Sequence, residues 1–140
     1  MSTVYHEEFT VIKDDYTGAG KVSSRIKIIL NELGIDSKVI RNIAVACYEA
    51  EINMIIHAYG GTILLDILED GKIKLSFNDL GPGIPDIEKA LTPGFSTASD
   101  KARNLGFGAG MGLPNIKRVS DEFNIESSKD GTKLNLVFNS

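Results

Sequence analysis

The chain has 140 residues, with 19 Asp and Glu against 15 Lys and Arg and a formal net charge of -4, for a pI of about 5.1. That length suits a single domain over residues 1–140 with a core of its own, and 42% hydrophobic with 24% charged residues excludes a disordered or fibrous chain. The acidic balance offers no global field to nucleic acid or an anionic membrane, which turns attention to protein and small-molecule partners.

Val4, Phe9 and Val11 among polar neighbours predict a first strand over residues 3 to 11. The same start carries Glu7, Glu8, Asp14 and Asp15 and lacks the basic, apolar pattern of an export signal, so a cytoplasmic protein is expected. From Asp15 to Leu33, Val22, Ile26, Ile29, Leu30 and Leu33 recur at helical spacing, with Gly34 as a C-terminal stop. Asp36 or Ser37 caps a second helix running to about Tyr59, with Val39, Ile40, Ile43, Cys47, Ala50 and Met54 facing inward. Cys47 is the only cysteine, which excludes an internal disulfide and a thiol-based zinc site and reads as a core thiol in a reducing compartment.

Ile63 to Leu68 and Ile73 to Phe77 flank Glu69-Asp70-Gly71 and predict an antiparallel hairpin. Asn78 to Pro85 is a glycine- and proline-rich loop, and Asp86 caps a short helix. Residues 92 to 111 show no periodicity, and a loop of that length in a compact domain is usually functional. Leu113-Pro114 opens a helix to about Asp121, and a last hairpin turns across residues 128 to 131. No apolar stretch approaches the roughly 20 residues of a membrane span.

Three segments carry candidate chemistry. Glu49 and Asn53 are four apart on the second helix and so share a face. A carboxylate there can take a proton, and a neutral amide oxygen suits Mg²⁺ already held by phosphates, although the pair also occurs as solvated helix surface. Asp79-Leu80-Gly81-Pro82-Gly83 leaves a strand with little side-chain obstruction, which suits a flat base whose exocyclic amine donates to Asp79, or else a plain tight turn. Gly106, Gly108, Gly110 and Gly112, with Met111 between the last two, place bare backbone at a helix start, where amides and the helix dipole favour phosphate; the other reading is a flexible hinge. His57 lies one turn beyond Asn53 and either borders the site or packs as a capping histidine.

Two look-alikes drop out. Gly18-Ala19-Gly20-Lys21 lacks the leading glycine and the Ser or Thr of a P-loop, with Asp15 and Val22 in those places. No glycine triplet between Gly106 and Gly112 has dinucleotide-binding spacing.

Read in order, Glu49-x-x-x-Asn53, Asp79-x-Gly81-x-Gly83 and Gly106-x-Gly108-x-Gly110-x-Gly112 resemble the N, G1 and G2 boxes of the GHKL ATPases. GPGIPDIEKAL, GFST, GMGLPNIKRVSDEFNIES and the closing DGTK are similar to the anti-sigma-factor serine/threonine kinases of the RsbT type, related to RsbW and SpoIIAB. The likeness runs from about Ser23 to Phe138. It implies an α+β fold, a two-layer sandwich of a mixed, mostly antiparallel sheet with helices on one face, holding ATP and Mg²⁺. It also implies that Glu49 is the catalytic base, Asn53 the Mg²⁺ ligand, Asp79 the adenine reader, the glycines from 106 to 112 the phosphate binders and Thr132 a support for the adenine end.

One departure is the length of Ala98 to Leu105, where Lys101 and Arg103 could reach the γ-phosphate and offset charge in transfer. The resemblance implies a kinase acting on a STAS-domain antagonist in a bacterial sigma-factor or stress-signalling pathway. The alternative is a nucleotide-dependent binding module that sequesters a sigma factor. A phosphatase as a further partner and a homodimer are compatible with either.

Overall fold

The computed structural model describes residues 3–56, 58–81, 91 and 112–140. Strands β1 (Thr3–Val11), β2 (Gly61–Leu68), β3 (Ile73–Asp79), β4 (Glu122–Ser128) and β5 (Gly131–Phe138) form one sheet in the order β1-β2-β3-β5-β4. Every described pairing is antiparallel, so the expected mixed character of the sheet is absent from these strands.

Period-two alternation decides which face of the sheet is covered. Ile63, Leu65, Ile73, Leu75, Phe77, Leu134, Leu136 and Phe138 are buried, while the intervening Lys74, Lys133 and Asn135 are exposed. On the open face the Ser76 hydroxyl donates to Asn135 Oδ1 at 2.8 Å. The predicted hairpin between β2 and β3 is present, and Asp70 Oδ1 accepts the Lys72 amide at 3.0 Å across its turn.

Helix α1 (Lys21–Glu32) begins later than its apolar periodicity suggests. Asp15 is the reason: its Oδ1 accepts the Gly18 amide at 3.1 Å and closes a separate 3-10 turn over Tyr16–Gly18. Val22, Ile26, Ile29 and Leu30 bury the predicted stripe, but Leu33 is 49% exposed and does not belong to it. Helix α2 (Ser37–Ile56) starts where expected, and Ala58 and Tyr59 lie outside it. Helix α3 (Gly112–Val119) has Pro114 in its first turn and anchors itself with buried Leu113 and Ile116. Helix α2 packs against both α1 and α3, and Cys47 is fully buried in the core as anticipated, its thiol pKa pushed well up by desolvation. None of the described helices is long and apolar enough to cross a membrane.

Among the described residues Glu51 is the buried charged side chain, 2% exposed on α2. Its Oε2 accepts the amides of Gly20 at 3.1 Å and Val22 at 3.3 Å, and its Oε1 accepts the Ser23 amide at 3.0 Å. These are the otherwise unpaired amides at the start of α1, so one carboxylate from α2 both caps α1 and fastens the two helices together. Burial raises the Glu51 pKa, the three amides oppose that rise, and burial prevails.

Glu51→Ala leaves those amides without their partner and opens a cavity, and we expect a loss of about 2–4 kcal/mol in chemical denaturation. The folded-state pKa of Glu51 lies above the ordinary 4.5, so the folded chain holds the proton more tightly than the unfolded one. The resulting stabilisation is complete below the unfolded value and is lost as pH rises through the folded value. Denaturation midpoints measured across that window should decline with pH more steeply for the native chain than for Glu51→Gln.

Candidate functional site

Glu49 and Asn53 sit one turn apart on the side of α2 that meets α3. Where they meet stands Gly112, the first residue of α3. A Cβ on Gly112 would lie 3.2 Å from both the Oδ1 and the Nδ2 of Asn53 and 3.3 Å from Glu49 Oε2. The helix start therefore reaches the carboxylate and the amide at closer range than most side chains would permit. Glu49 is half-buried. Desolvation raises its pKa, and hydrogen bonding to the Asn115 side chain pulls in the opposite direction.

Asp79 ends β3, paired with Gly61 at the start of β2. Its Oδ1 accepts the Gly81 amide at 3.0 Å and the Thr132 amide at 2.8 Å. Both hydrogen bonds that Asp79 accepts from described residues fall on Oδ1. Thr132 is buried, and its Oγ1 lies 2.8 Å from Ser127 Oγ on β4. Gly81 is buried as well, and its carbonyl accepts the Tyr59 amide at 2.9 Å.

The Asp79 end and the Glu49 end are joined through Gly61. A Cβ there would lie 2.7 Å from the Asp79 Cα and 2.9 Å from Met54 Cε, and Met54 is the neighbour of Asn53 on α2. Bare backbone at Gly61 thus lets the end of the sheet close onto α2 at the residue next to Asn53.

Of the residues expected from sequence, the structure brings together Glu49, Asn53 and Gly112 in one contact and Asp79, Gly81 and Thr132 in another. His57, Gly83, Lys101, Arg103, Gly106, Gly108, Gly110 and Met111 lie outside the described residues, as do the short helix from Asp86 and the segment Ala98 to Leu105. Sequence reasoning passed over Asn115. Its signal was present: it is three residues beyond Gly112 and so falls on the same face of α3.

Chemically, the donor set suits a magnesium nucleotide. Asn53 provides a neutral oxygen, Glu49 a proton acceptor, and Gly112 a cradle that a side chain would fill. A neutral amide oxygen such as that of Asn53 suits a cation that already carries phosphate oxygens as ligands.

A sheet covered on one face by helices, with a carboxylate and an amide of one helix set against the glycine start of another, defines an ATP-binding domain of the two-layer type. Residues 12–138 match the histidine kinase-like ATPase domain, and the chain belongs to that family, as the order of its three boxes implied. It is 35% identical to the serine/threonine-protein kinase RsbT of Bacillus subtilis over 113 residues, 78% of this chain and 79% of that one. It is 38% identical to an anti-sigma F factor of Caldanaerobacter subterraneus over 93 residues, 64% of this chain and 62% of that protein. The fold is shared with the RsbU and RsbW domains of a Mycobacterium tuberculosis protein at a TM-score of 0.68 and 18% identity, covering 97% of this chain and 32% of that longer one. A chain of the SiaB-SiaC complex of Pseudomonas aeruginosa gives a TM-score of 0.59 at 15% identity, covering 94% of this chain and 88% of that one.

Gly112→Ala improves a helix position yet crowds Glu49 and Asn53. Calorimetric titration should find Mg-ATP binding about tenfold weaker, roughly 1.4 kcal/mol, with the melting temperature unchanged or slightly raised. Asp79→Asn replaces an acceptor with a donor-bearing amide and should weaken ATP relative to GTP by at least about tenfold in competitive binding.

Proposed function

We propose that this chain is an ATP-dependent protein serine/threonine kinase that works as a regulatory switch, phosphorylating a STAS-domain antagonist in a bacterial sigma-factor or stress-signalling pathway. The observation that carries the reading is the contact of Glu49 and Asn53 with Gly112, which sets a proton acceptor beside a backbone suited to phosphate. Kinship with RsbT, whose name states the activity, supports it. Such a role belongs in the cytoplasm.

In this reading Asp79 selects adenine through Oδ2, and the Thr132 and Gly81 amides hold the carboxylate by Oδ1 for that task. Asn53 would be the protein ligand of Mg²⁺, whose charge would offset that of the phosphates. The acceptor is a Ser or Thr hydroxyl of the partner. Its oxygen bonds to the γ-phosphorus as the bond from phosphorus to the bridging oxygen breaks, ADP leaves, and the hydroxyl proton passes to Glu49. Desolvation strengthens Glu49 as a base relative to an ordinary carboxylate.

A second reading is favoured by the anti-sigma F relatives, which are 33–39% identical: nucleotide binding orders the domain to sequester a sigma factor. The two activities are compatible. Incubation with γ-labelled ATP and a STAS-domain protein should yield phosphoserine or phosphothreonine. Glu49→Gln should lower transfer by about 10²–10⁴-fold while nucleotide still binds. Undiminished transfer by that variant would remove Glu49 from the base role, and retention of a sigma factor on the immobilised chain without transfer would favour the second reading.

A further inference from the structure

Charge is spread unevenly along the chain. The stretch from Lys21 to Tyr48 holds Lys21, Arg25, Lys27, Lys38 and Arg41 against Glu32 and Asp36, in a protein whose formal net charge is -4. All five cations are exposed on α1 and α2, and none forms an ion pair with a described residue. Lys21 opens α1, where the helix dipole disfavours a cation, and no acidic residue accompanies it in that first turn. A cation kept there against the local preference points to a task outside the helix.

Beside these cations lies exposed apolar surface. Ile28 is 49% exposed, Val45 39% and Tyr48 40%. Arg41, Val45 and Tyr48 follow one another at i, i+4 and i+7 and so form one stripe along α2. An open groove of about 570 Å³ joins the two helices, lined by Gly20, Lys21, Ser24, Arg25, Ile28 and Tyr48. A Cβ on Gly20 would lie 3.3 Å from Tyr48 Cε1, so the ring rests against bare backbone and is held as one wall. Glu51 already takes the amides of Gly20, Val22 and Ser23, so attraction for an anion comes from side chains here and not from the start of the helix.

Charge and shape together select the occupant. The cations call for carboxylates, and Ile28 with Tyr48 calls for an apolar side chain between them, a combination that an acidic segment of a protein supplies. Two copies meeting by this face would set Lys21 and Arg25 against the same cations of the other copy. An anionic bilayer repels the acidic chain as a whole. We propose that the outer face of α1 and α2 is a docking surface for an acidic segment of a partner protein, whose carboxylates meet Lys21 and Arg25 while an apolar side chain enters the groove between Ile28 and Tyr48.

The inference stands apart from the kinase reading, and its test needs no phosphoryl transfer. The probe is a fluorescein-labelled synthetic helix of about 15 residues, with Leu along one face and Glu along the other, beside versions bearing Gln or Lys in place of Glu. Fluorescence anisotropy should show saturable binding of the acidic helix, at least about tenfold tighter than either version and weaker at high salt. Lys21→Glu with Arg25→Glu should weaken it about tenfold or more, and Ile28→Ser about threefold to tenfold. These positions are exposed, and Lys21→Glu suits the helix dipole, so melting temperature and calorimetric Mg-ATP binding should stay as in the native chain. No saturable binding by the native chain, or equal binding by the doubly reversed chain, overturns the proposal. So does sedimentation in which that double reversal dissolves a dimer, which gives the face to a second copy. Flotation of the native chain, but not the reversed one, with phosphatidylserine vesicles gives it to a membrane and overturns the proposal as well.

Discussion

The rotation of α2 about its own axis is the constraint on which the rest of the structure depends. Residues two apart on a helix point about 200° away from each other, so Glu49 and Asn53 share one side while Glu51 looks out from the other. The fold uses both sides. Toward α3 the helix presents an acid and an amide beside bare backbone. Toward α1 it presents a carboxylate that gathers three amides. A roll of one residue, about 100°, would release α1 and swing the site side chains away from Gly112 together. The Glu51 clasp and the buried Ile43, Cys47, Ala50 and Met54 therefore do more than stabilise, since they set the direction in which Glu49 points.

The sheet plays the corresponding part at the Asp79 end. Asp79 is aimed by amides from its own loop and from the far hairpin, and the second of these exists because β5 pairs with β3. Antiparallel order delivers the start of β5 to the end of β3, which brings the Thr132 amide against a carboxylate 53 positions earlier. Gly61 then permits the sheet end to approach Met54, so that the end of β3 and helix α2 meet although they belong to different layers.

The two carboxylates of α2 illustrate how environment assigns roles to one residue type. Glu51 is walled in and satisfied by backbone, and its charge is spent on structure. Glu49 is half-buried, with its pKa raised by desolvation, and it lies against the glycine that opens α3. Structural relatives at 18% and 15% identity keep the same fold, as expected when the alternation of apolar residues, rather than their identity, specifies a layered core.

Much of this protein could be read along the chain. The hairpin at Asp70-Gly71, the strand alternation and the long apolar stripe of α2 are local patterns, and local patterns survive in one dimension because turn chemistry and side-chain period act over a few residues. The pairing of Glu49 with Asn53 was legible for the same reason. Where reading the chain failed, a longer-range or competing interaction was responsible. Apolar period extended α1 back to Asp15, but the carboxylate of that residue closed a turn of its own. Leu33 continued the stripe in sequence and fell outside the core in space. Glu51 looked like any charged residue on a helix, since the amides that it caps lie 28–31 positions away. The sequence by itself determined the elements and the residue types able to handle a nucleotide. Tertiary structure alone decided which carboxylate became a clasp and which met the start of α3, because burial and partners come from packing between helices and not from neighbours in the chain.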